Sequence, residues 1–360
     1  MVMVKPDTLE NFVEAIFARV GCAAGESRRI ARSLVTTNLT GHDSHGVIRV
    51  PRYVAWLEEG TIVANQTVTL VVDAPALAVV DGQFGFGQSV APQAVEIGIA
   101  KCRQSGIAAI ALRNAGHIGR VGEWAEMAAD AGLVSIHFVN AAGGVLVAPY
   151  GAVERRFSTA PFCVGIPRPN LPPILLDFAT SVVAEGKCQV ASQGGKPLPP
   201  DALIGPDGRT SGDTRLIYGD GPTTGGRSVD AGQGAIRAFG DHKGSGLALM
   251  CELLGGSLTG TGATKLDRRF ANGMFSFYVD PAKVDPQNIF PADVQRYVDW
   301  VKSAKPIRPG GDVLVPGEPE RRTRAERQAN GIPLTEDTWG SIVACARRVG
   351  VEESTIAAAA

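Results

Sequence analysis

The sequence lacks the features that mark membrane, secreted and disulfide-stabilised proteins. No stretch reaches about 18 uninterrupted apolar residues, so a membrane span is not expected. The first residues include Asp7 and Glu10 and contain no apolar run, so no secretory signal is expected. The six cysteines lie far apart and form no CxxC pair, which argues against a disulfide framework or a zinc knuckle. Reduced thiols and a cytoplasmic location are therefore predicted.

An excess of charge of one sign is also missing, because 35 Lys and Arg residues balance 36 Asp and Glu residues. No basic tract stands out, so a nucleic-acid partner is not expected. Apolar residues make up 44% of the 360-residue chain, which is enough for a sizeable core. The length favours two or three lobes rather than one compact core.

Hydrophobic periodicity predicts helices at both ends of the chain and an α/β region between them. Thr8 is predicted to cap a first helix that ends near Gly21, and Thr335 to cap a helix in the C-terminal tail. Further helices are predicted over residues 26–39, 243–258 and 294–301, and strands over residues 67–72, 77–80, 107–112, 133–138 and 274–279. We therefore predict a helical lobe of residues 1–65 with 320–360, and an α/β region of residues 66–319.

Residues 41–53 concentrate side chains that carry chemistry. If the chain is helical after Ser44, then His45, Arg49 and Tyr53 lie one turn apart on a single face. An imidazole, a guanidinium and a phenol on one stripe can hold a carboxylate and a carbonyl together, with Arg49 as the bidentate partner. Pro51 would strain such a helix, so the stripe is a hypothesis.

Two other chemistries fit the same segment less well. His42, Asp43 and His45 are metal-ligand types, but no further His or Cys lies near them, so no metal is predicted. Ser44 with His45 or His117 would make a nucleophile pair, but no G-x-S-x-G elbow surrounds the serine. The segment therefore favours carboxylate binding over a metal centre or a hydrolase.

Another histidine lies in a turn between a predicted strand and a predicted helix. His117 has Gly116 and Gly119 around it, and glycines let the backbone approach a ligand closely. The helix N-terminus that follows favours anionic groups, and an imidazole with an ordinary pKa of about 6.5 transfers protons near neutral pH. A structural turn histidine is the alternative. His137 lies instead in an apolar run and is predicted to be a packed strand residue.

A glycine-rich segment, residues 82–87, follows a predicted strand and precedes a helix. Read as a dinucleotide fingerprint from Gly85 and Gly87, it has Val90 in place of the third glycine. No acid ends a second strand at the expected distance either. The segment is therefore predicted to be a tight turn, and a standard Rossmann domain is disfavoured.

Four blocks in the same order, residues 41–53, 114–122, 175–187 and 241–254, resemble the type 2 malate/L-lactate dehydrogenase family, and within it the hydroxycarboxylate dehydrogenases. The resemblance spans nearly the whole chain. It implies an α/β, non-Rossmann dehydrogenase fold, with a mixed-sheet cofactor domain and a helical lobe from both termini. It also implies a homodimer with its active site in a cleft between lobes.

The same resemblance implies roles for individual residues. His117 corresponds to the acid/base and Arg49 to the carboxylate clamp, while Ser44 and Tyr53 correspond to pocket-lining positions. The positions that correspond to dinucleotide contacts are His45, Gly119, Arg120, Val121, Leu175, Leu176, Asp177, Phe178, Ala179, His242, Asn272, Gly317, Glu318, Pro319 and Glu320.

The implied reaction is hydride exchange between a nicotinamide cofactor and a small 2-oxo or 2-hydroxy acid of the malate, lactate or hydroxyphenylpyruvate type. Arg49 would orient the carboxylate, and protonated His117 would give a proton to the developing alkoxide. NAD is expected through the subfamily likeness, with NADP as the alternative. The rival readings are reduction of a cyclic-imine carboxylate and a non-catalytic binding protein that uses the same cleft.

Overall fold

The computed structural model describes residues 1–220, 229 and 231–359. Its helices are α1 (Pro6–Arg19), α2 (Ala24–Leu39), α3 (Val50–Glu58), α4 (Gly87–Ser105), α5 (Val121–Asp130), α6 (Glu185–Ser192), α7 (Arg215–Tyr218), α8 (His242–Cys251), α9 (Pro281–Val284), α10 (Phe290–Lys302), α11 (Glu318–Asn330), α12 (Glu336–Arg348) and α13 (Glu353–Ala359). Its strands are β1 (Val2–Val4), β2 (Thr69–Ala74), β3 (Leu77–Asp81), β4 (Ile107–Ala115), β5 (Val134–Ala142), β6 (Val147–Ala148), β7 (Pro161–Arg168), β8 (Leu171–Ala179), β9 (Leu203–Ile204), β10 (Thr210–Ser211), β11 (Ala235–Arg237), β12 (Ala271–Val279) and β13 (Ile332–Leu334). Two 3-10 turns, Asp43–His45 and Val47–Arg49, precede α3, and a π-helical segment, Glu252–Leu258, follows α8. Among the helices described, none combines the length and apolar character needed to cross a bilayer.

The two ends of the chain fold together into a helical lobe. Strand β1 pairs antiparallel with β13, with Val2 opposite Leu334 and Val4 opposite Ile332. One buried apolar cluster combines side chains of α1, α2 and α3 with side chains of α12 and α13. Because both ends bury apolar surface in the same cluster, the hydrophobic effect holds them in one core.

Helix caps show where local sequence rules apply and where they do not. Thr335 caps α12 as predicted, because its Oγ1 accepts a hydrogen bond from the backbone N–H of Thr338 at 3.1 Å. The predicted cap at Thr8 is wrong. Helix α1 begins at Pro6, whose fixed φ suits a first helical turn, so Thr8 lies inside the helix. Gly21 follows the helix with a φ of 91°, which is the left-handed conformation expected after a helix end.

A seven-stranded mixed sheet forms the centre of the molecule, in the order β2-β3-β4-β12-β5-β7-β8. In this sheet β3 and β4 pair in parallel, and the other neighbouring strands pair antiparallel. Strands β4 and β5 are joined by α5 in sequence, yet β12 lies between them. A Rossmann unit would place such strands side by side. The mixed, non-Rossmann α/β architecture is therefore confirmed.

A smaller sheet, β10-β9-β11-β6, has an apolar core of its own. Its buried cluster includes Leu203, Ile217 and Ile236, although each of its strands has only two or three residues. Cys188 of α6 is buried in the same cluster. This sheet therefore anchors α6, whose first residue, Glu185, reaches the site described next.

Candidate active site

His117 lies in the turn that joins β4 to α5, as the sequence predicts. The backbone N–H of Gly116 donates to the carbonyl of Gly85 at 2.7 Å. A Cβ on Gly87 would lie 2.3 Å from the carbonyl oxygen of His117, so glycine permits the close approach of α4. Residues 82–87 form a tight turn, with positive φ at Gln83 and Phe84. This turn therefore serves as a backbone support for His117.

The hypothesis of a continuous helix after Ser44 does not hold, because two 3-10 turns precede α3. Gly46 separates these turns with a ψ of −148°, and a Cβ there would lie 2.0 Å from Oδ1 of Asn38. Pro51 lies in the first turn of α3, where proline is compatible with a helix. The side chains of His45, Arg49 and Tyr53 are therefore brought together by the two 3-10 turns and not by helical periodicity.

Asp43, which was weighed as a metal ligand, fastens the first of these turns. Its carboxylate accepts hydrogen bonds from Nδ2 of Asn38 at 2.7 Å and from Nη2 of Arg327 at 2.9 Å. These bonds tie the turn to α2 and α11. In the part of the chain that the structure describes, no group of three His, Cys, Asp or Glu side chains is placed to hold a metal ion.

Ser44, His45, Arg49, Tyr53 and His117 meet at one place, which we term the His117 cluster. The phenol oxygen of Tyr53 lies 2.5 Å from Nδ1 of His117, and the rings of His45 and His117 stack with centroids 5.4 Å apart. Oγ of Ser44 lies 2.8 Å from Nδ1 of His45. Ser44 and Tyr53 are buried, whereas His45, Arg49 and His117 are partly exposed. A small molecule can therefore reach the three partly exposed side chains, with Ser44 and Tyr53 behind them.

Arg49 joins the helical lobe to the smaller sheet. Its Nε donates to the carbonyl oxygen of Ser44 at 2.7 Å, and its Nη2 donates to the carboxylate of Glu185 at 3.0 Å. The other oxygen of Glu185 accepts a hydrogen bond from the phenol of Tyr218 at 2.8 Å. The guanidinium is thus held in a fixed position and already has one carboxylate beside it.

Burial keeps the histidines of the cluster neutral. Burial, followed by the positive charge of Arg49, lowers the pKa of His117 to about 3. Burial, followed by His117 and Arg49, holds the pKa of His45 well below its ordinary value. Burial also raises the pKa of the Tyr53 phenol. At neutral pH the free site therefore holds a neutral His117, and not the protonated form that the sequence-based mechanism invokes.

His137 is the packed strand residue that the sequence predicts. It lies fully buried in β5, with Nδ1 2.8 Å from Oγ of Ser276 and Nε2 3.0 Å from Oγ of Ser135. Burial lowers its pKa to about 3. With both ring nitrogens occupied, His137 stabilises the sheet and has no free atom for chemistry.

A separate cavity of about 360 Å³ is lined by five of the predicted dinucleotide contacts: Arg120, Leu175, Asp177, Gly317 and Glu320. Arg120 is 3% exposed, and its Nε has no hydrogen-bond partner among the described residues. Oε2 of Glu320 is also buried without a partner within the described part of the chain. Buried polar atoms normally have partners. Both residues line the cavity, and their charged side chains give it a polar wall that suits a polar ligand such as a dinucleotide.

Strand β8 divides the predicted run of cofactor contacts between its two faces. Leu175 and Asp177 line the cavity, and Ala179 lies on the same face of the strand. Leu176 and Phe178 point to the opposite face, because side chains alternate along a strand. Only alternate members of the run are therefore directed toward the cavity.

Three further predicted contacts support the His117 turn. Oδ1 of Asn272 accepts a hydrogen bond from the backbone N–H of Ile118 at 2.9 Å. Gly119 has a φ of 71°, and Val121 is buried in the core beneath the central sheet. The structure thus gives these residues a positioning role at the turn.

The remaining predicted contacts lie outside both the His117 cluster and the cavity lining. His242 begins α8 and is exposed, with its ring 5.9 Å from that of Tyr150. Glu318 pairs with Lys302 and accepts the backbone N–H of Val315 at 3.0 Å. Pro319 lies in the first turn of α11. The structure does not bring these three to the cavity.

Sequence reasoning missed three residues next to the His117 cluster. Gln88 donates from Nε2 to the phenol oxygen of Tyr53 at 3.1 Å. Glu185 holds Arg49, and the charge of Lys187 contributes to the lowered pKa of His45. Glu185 and Lys187 lie inside the third of the four blocks that carry the family resemblance, and Gln88 directly follows the glycine-rich turn. The available signal was therefore membership of a recognised block for Glu185 and Lys187, and position next to the glycine-rich turn for Gln88.

Comparisons with known proteins give likenesses over nearly the whole chain. The sequence profile described as malate/L-lactate dehydrogenase matches residues 4–343. Hydroxycarboxylate dehydrogenase B of Escherichia coli (strain K12) is 40% identical over 98% of this chain and 95% of its own length. A delta(1)-pyrroline-2-carboxylate/delta(1)-piperideine-2-carboxylate reductase of Pseudomonas putida is 31% identical over 91% of this chain and 92% of its own. A solved Escherichia coli structure, assigned as a malate/lactate dehydrogenase, has a TM-score of 0.91 and 38% identity, and covers 99% of this chain and 98% of that one.

The charge of Arg49 is expected to control the pKa of His117. In the wild-type protein the His117 imidazole should stay neutral until the pH falls toward its pKa of about 3. Arg49→Gln removes the nearby positive charge and should raise that pKa, which a pH titration of the imidazole ¹⁵N signals measures directly. His137 is the internal control, because burial alone lowers its pKa. A His117 titration that is identical in both proteins would contradict the electrostatic coupling.

Proposed function

The chain belongs to the malate/L-lactate dehydrogenase family and is a 2-hydroxyacid oxidoreductase. We propose that it interconverts a small 2-oxo acid and its 2-hydroxy acid at the His117 cluster. The observation that carries this proposal is a neutral, partly exposed imidazole beside a fixed guanidinium. A 2-hydroxy acid presents the matching pair of groups, a carboxylate next to a carbon that bears a hydroxyl. A guanidinium binds the first group and an imidazole takes the proton of the second.

The chain's own residues bind the substrate and move its proton. Arg49 would hold the carboxylate, and its bonds to Ser44 and Glu185 limit the orientations that the reacting carbon can adopt. His117 would exchange the proton at Nε2, since Tyr53 occupies Nδ1. A bound nicotinamide supplies or accepts the hydride.

Because its pKa is low, His117 is unprotonated in the free protein. A neutral imidazole can accept the hydroxyl proton when a 2-hydroxy acid is oxidised. Reduction of a 2-oxo acid requires the imidazole to carry a proton. A bound carboxylate would offset the charge of Arg49, which is the second cause of the low pKa after burial. Substrate binding should therefore raise the pKa of His117 and favour its protonation.

Turnover of 2-oxo acids should depend on His117. With reduced cofactor, we expect oxaloacetate, pyruvate, phenylpyruvate or hydroxyphenylpyruvate to be reduced, as followed by loss of the reduced-nicotinamide absorbance. His117→Ala should lower kcat by roughly 10²- to 10⁴-fold, which is the usual contribution of a positioned acid/base. Its thermal melting and its cofactor affinity should stay close to those of the wild-type protein.

Other outcomes of this assay separate the alternatives. Near-wild-type turnover by His117→Ala would remove the acid/base assignment. Reduction of a cyclic-imine carboxylate alone would move the function to that of the Pseudomonas putida relative. An unchanged absorbance with every compound would favour a binding protein without catalytic activity.

We also propose that NAD is the cofactor and that the cavity beside Arg120 binds it. Asp177, Gly317 and Glu320 would contribute to the same site. The cavity lining includes four carboxylates, those of Glu126, Asp130, Asp177 and Glu320. It also includes three guanidinium groups, those of Arg120, Arg321 and Arg324. The additional phosphate of NADP would bring negative charge into a cavity where carboxylates outnumber guanidinium groups, which disfavours its binding.

NADH should therefore be used in preference to NADPH. We expect kcat/KM to differ by about tenfold or more, which corresponds to about 1.4 kcal/mol. Glu320→Ala should raise the KM for NADH, because it removes a buried acceptor of the cavity. Glu326→Ala, an exposed substitution on the same helix, is the control and should leave this KM unchanged. Equal use of both cofactors by the wild-type protein would contradict the charge argument.

Finally, we propose that the enzyme is a cytoplasmic homodimer. The six cysteines are all buried and unpaired, as is usual in a reducing compartment. Leu249, Met250 and Leu253 form an apolar stripe along α8 and the π-helical segment, with exposures of 43%, 42% and 43%. Clustered apolar side chains on a surface favour burial against another protein. A second copy of the chain would cover them.

A charge placed in this stripe should separate the protomers. Leu253→Glu is expected to give a monomer in light scattering, because pairing would bury an unpartnered carboxylate. Ile307→Glu, at a fully exposed apolar residue outside the stripe, is the control and should leave the dimer intact. A wild-type protein that is monomeric at micromolar concentration would contradict the proposal.

A further inference from the structure

A buried chain of hydrogen bonds lies behind His117. Gln88, in the first turn of α4, is 2% exposed and donates from Nε2 to the phenol oxygen of Tyr53 at 3.1 Å. That oxygen lies 2.5 Å from Nδ1 of His117. Gln88 directly follows the glycine-rich turn, and Gly119 leaves room for it, since a Cβ there would lie 3.1 Å from Nε2 of Gln88. These hydrogen bonds thus connect the glycine-rich segment to the imidazole of His117.

The amide of Gln88 is only half satisfied. Its Oε1 is buried and has no hydrogen-bond partner among the described residues. An amide presents a donor on one side and an acceptor on the other, and a half-turn of the group exchanges them. In either orientation, the amide group that faces away from Tyr53 has no partner among the described residues. The two orientations therefore each leave one buried polar group without a hydrogen bond.

The two orientations have different consequences for the imidazole. With Nε2 of Gln88 toward Tyr53, the phenol accepts from the amide and donates its proton to Nδ1 of His117. The neutral ring then carries its proton on Nε2 and cannot accept another there. With Oε1 toward Tyr53, the phenol donates to the amide and accepts from Nδ1–H. Nε2 of His117 then has a free lone pair.

We propose that Gln88 is a positioning residue that selects the tautomer of His117 through Tyr53. In the competent state the amide oxygen faces Tyr53, and Nε2 of His117 is the proton acceptor. When the substrate O–H bond breaks, an Nε2–H bond forms, while the Nδ1–H bond to the Tyr53 oxygen is kept. The reverse step returns the same proton to the alkoxide. This inference rests on the proposed role of His117 as the acid/base.

The test replaces the amide with a side chain of similar length that has no hydrogen-bonding group. In Gln88→Met the phenol of Tyr53 can donate only to Nδ1, so the imidazole ¹⁵N shifts should move toward the pure Nε2–H tautomer. We expect kcat to fall roughly 10- to 100-fold, the range expected when one buried polar partner is removed. The KM for the 2-oxo acid should change little, because Arg49 is untouched, and the acid limb of the pH–rate profile should move. Gln104→Met, at an exposed position of the same helix, should change none of these quantities.

A double-substitution cycle distinguishes this role from simple packing. Tyr53→Phe removes the hydrogen bonds that link Gln88 to His117. Gln88→Met should therefore add little to the loss of kcat that Tyr53→Phe already causes. Additive losses, or wild-type ¹⁵N shifts in Gln88→Met, would overturn the proposal. If Gln88→Met does not fold, Gln88→Asn keeps an amide but shortens its reach to Tyr53, and the same criteria apply. The ¹⁵N measurement needs no turnover, so it tests Gln88 even if His117→Ala proves fully active and the proposed function fails.

Discussion

The hydrogen bond between Tyr53 and His117 joins the two largest cores of the molecule. Tyr53 is part of the apolar cluster of the helical lobe, and His117 extends from the turn above the central sheet. The phenol is fully buried, so it finds a partner only where the lobes dock, and an unpaired phenol there would cost roughly 1–3 kcal/mol. The bond that stabilises the docked arrangement therefore also holds the ring of His117 in place.

The central sheet reaches the same turn through β12. This strand comes late in the chain yet pairs with both β4 and β5, and so it separates the two strands that α5 connects. Asn272, near its start, holds the backbone of Ile118. A strand inserted between β4 and β5 thus brings a side chain to the turn that a Rossmann arrangement would hold in another way.

Local and distant interactions explain which sequence-based predictions succeeded. The cap at Thr335 and the packed His137 follow from a few neighbouring residues, and both are confirmed. The continuous helix through Arg49 failed because Gly46 packs against Asn38, a contact that periodicity does not encode. Gln88 was missed because its role depends on a neighbour 35 positions away in the sequence. The family resemblance identified the residues of the His117 cluster. The structure showed which of them are buried and which are partly exposed.

Arg49 shows how two units of the fold act on one group. The 3-10 turn holds its Nε through Ser44, and the smaller sheet holds its Nη2 through Glu185. Gly186 permits this approach, because a Cβ there would lie 2.6 Å from Nη2 of Arg49. A guanidinium fixed on two sides loses little conformational entropy when a carboxylate binds it. It also keeps its positive charge close to His117, so the same placement that suits a carboxylate ligand adds to the effect of burial in lowering the pKa of His117.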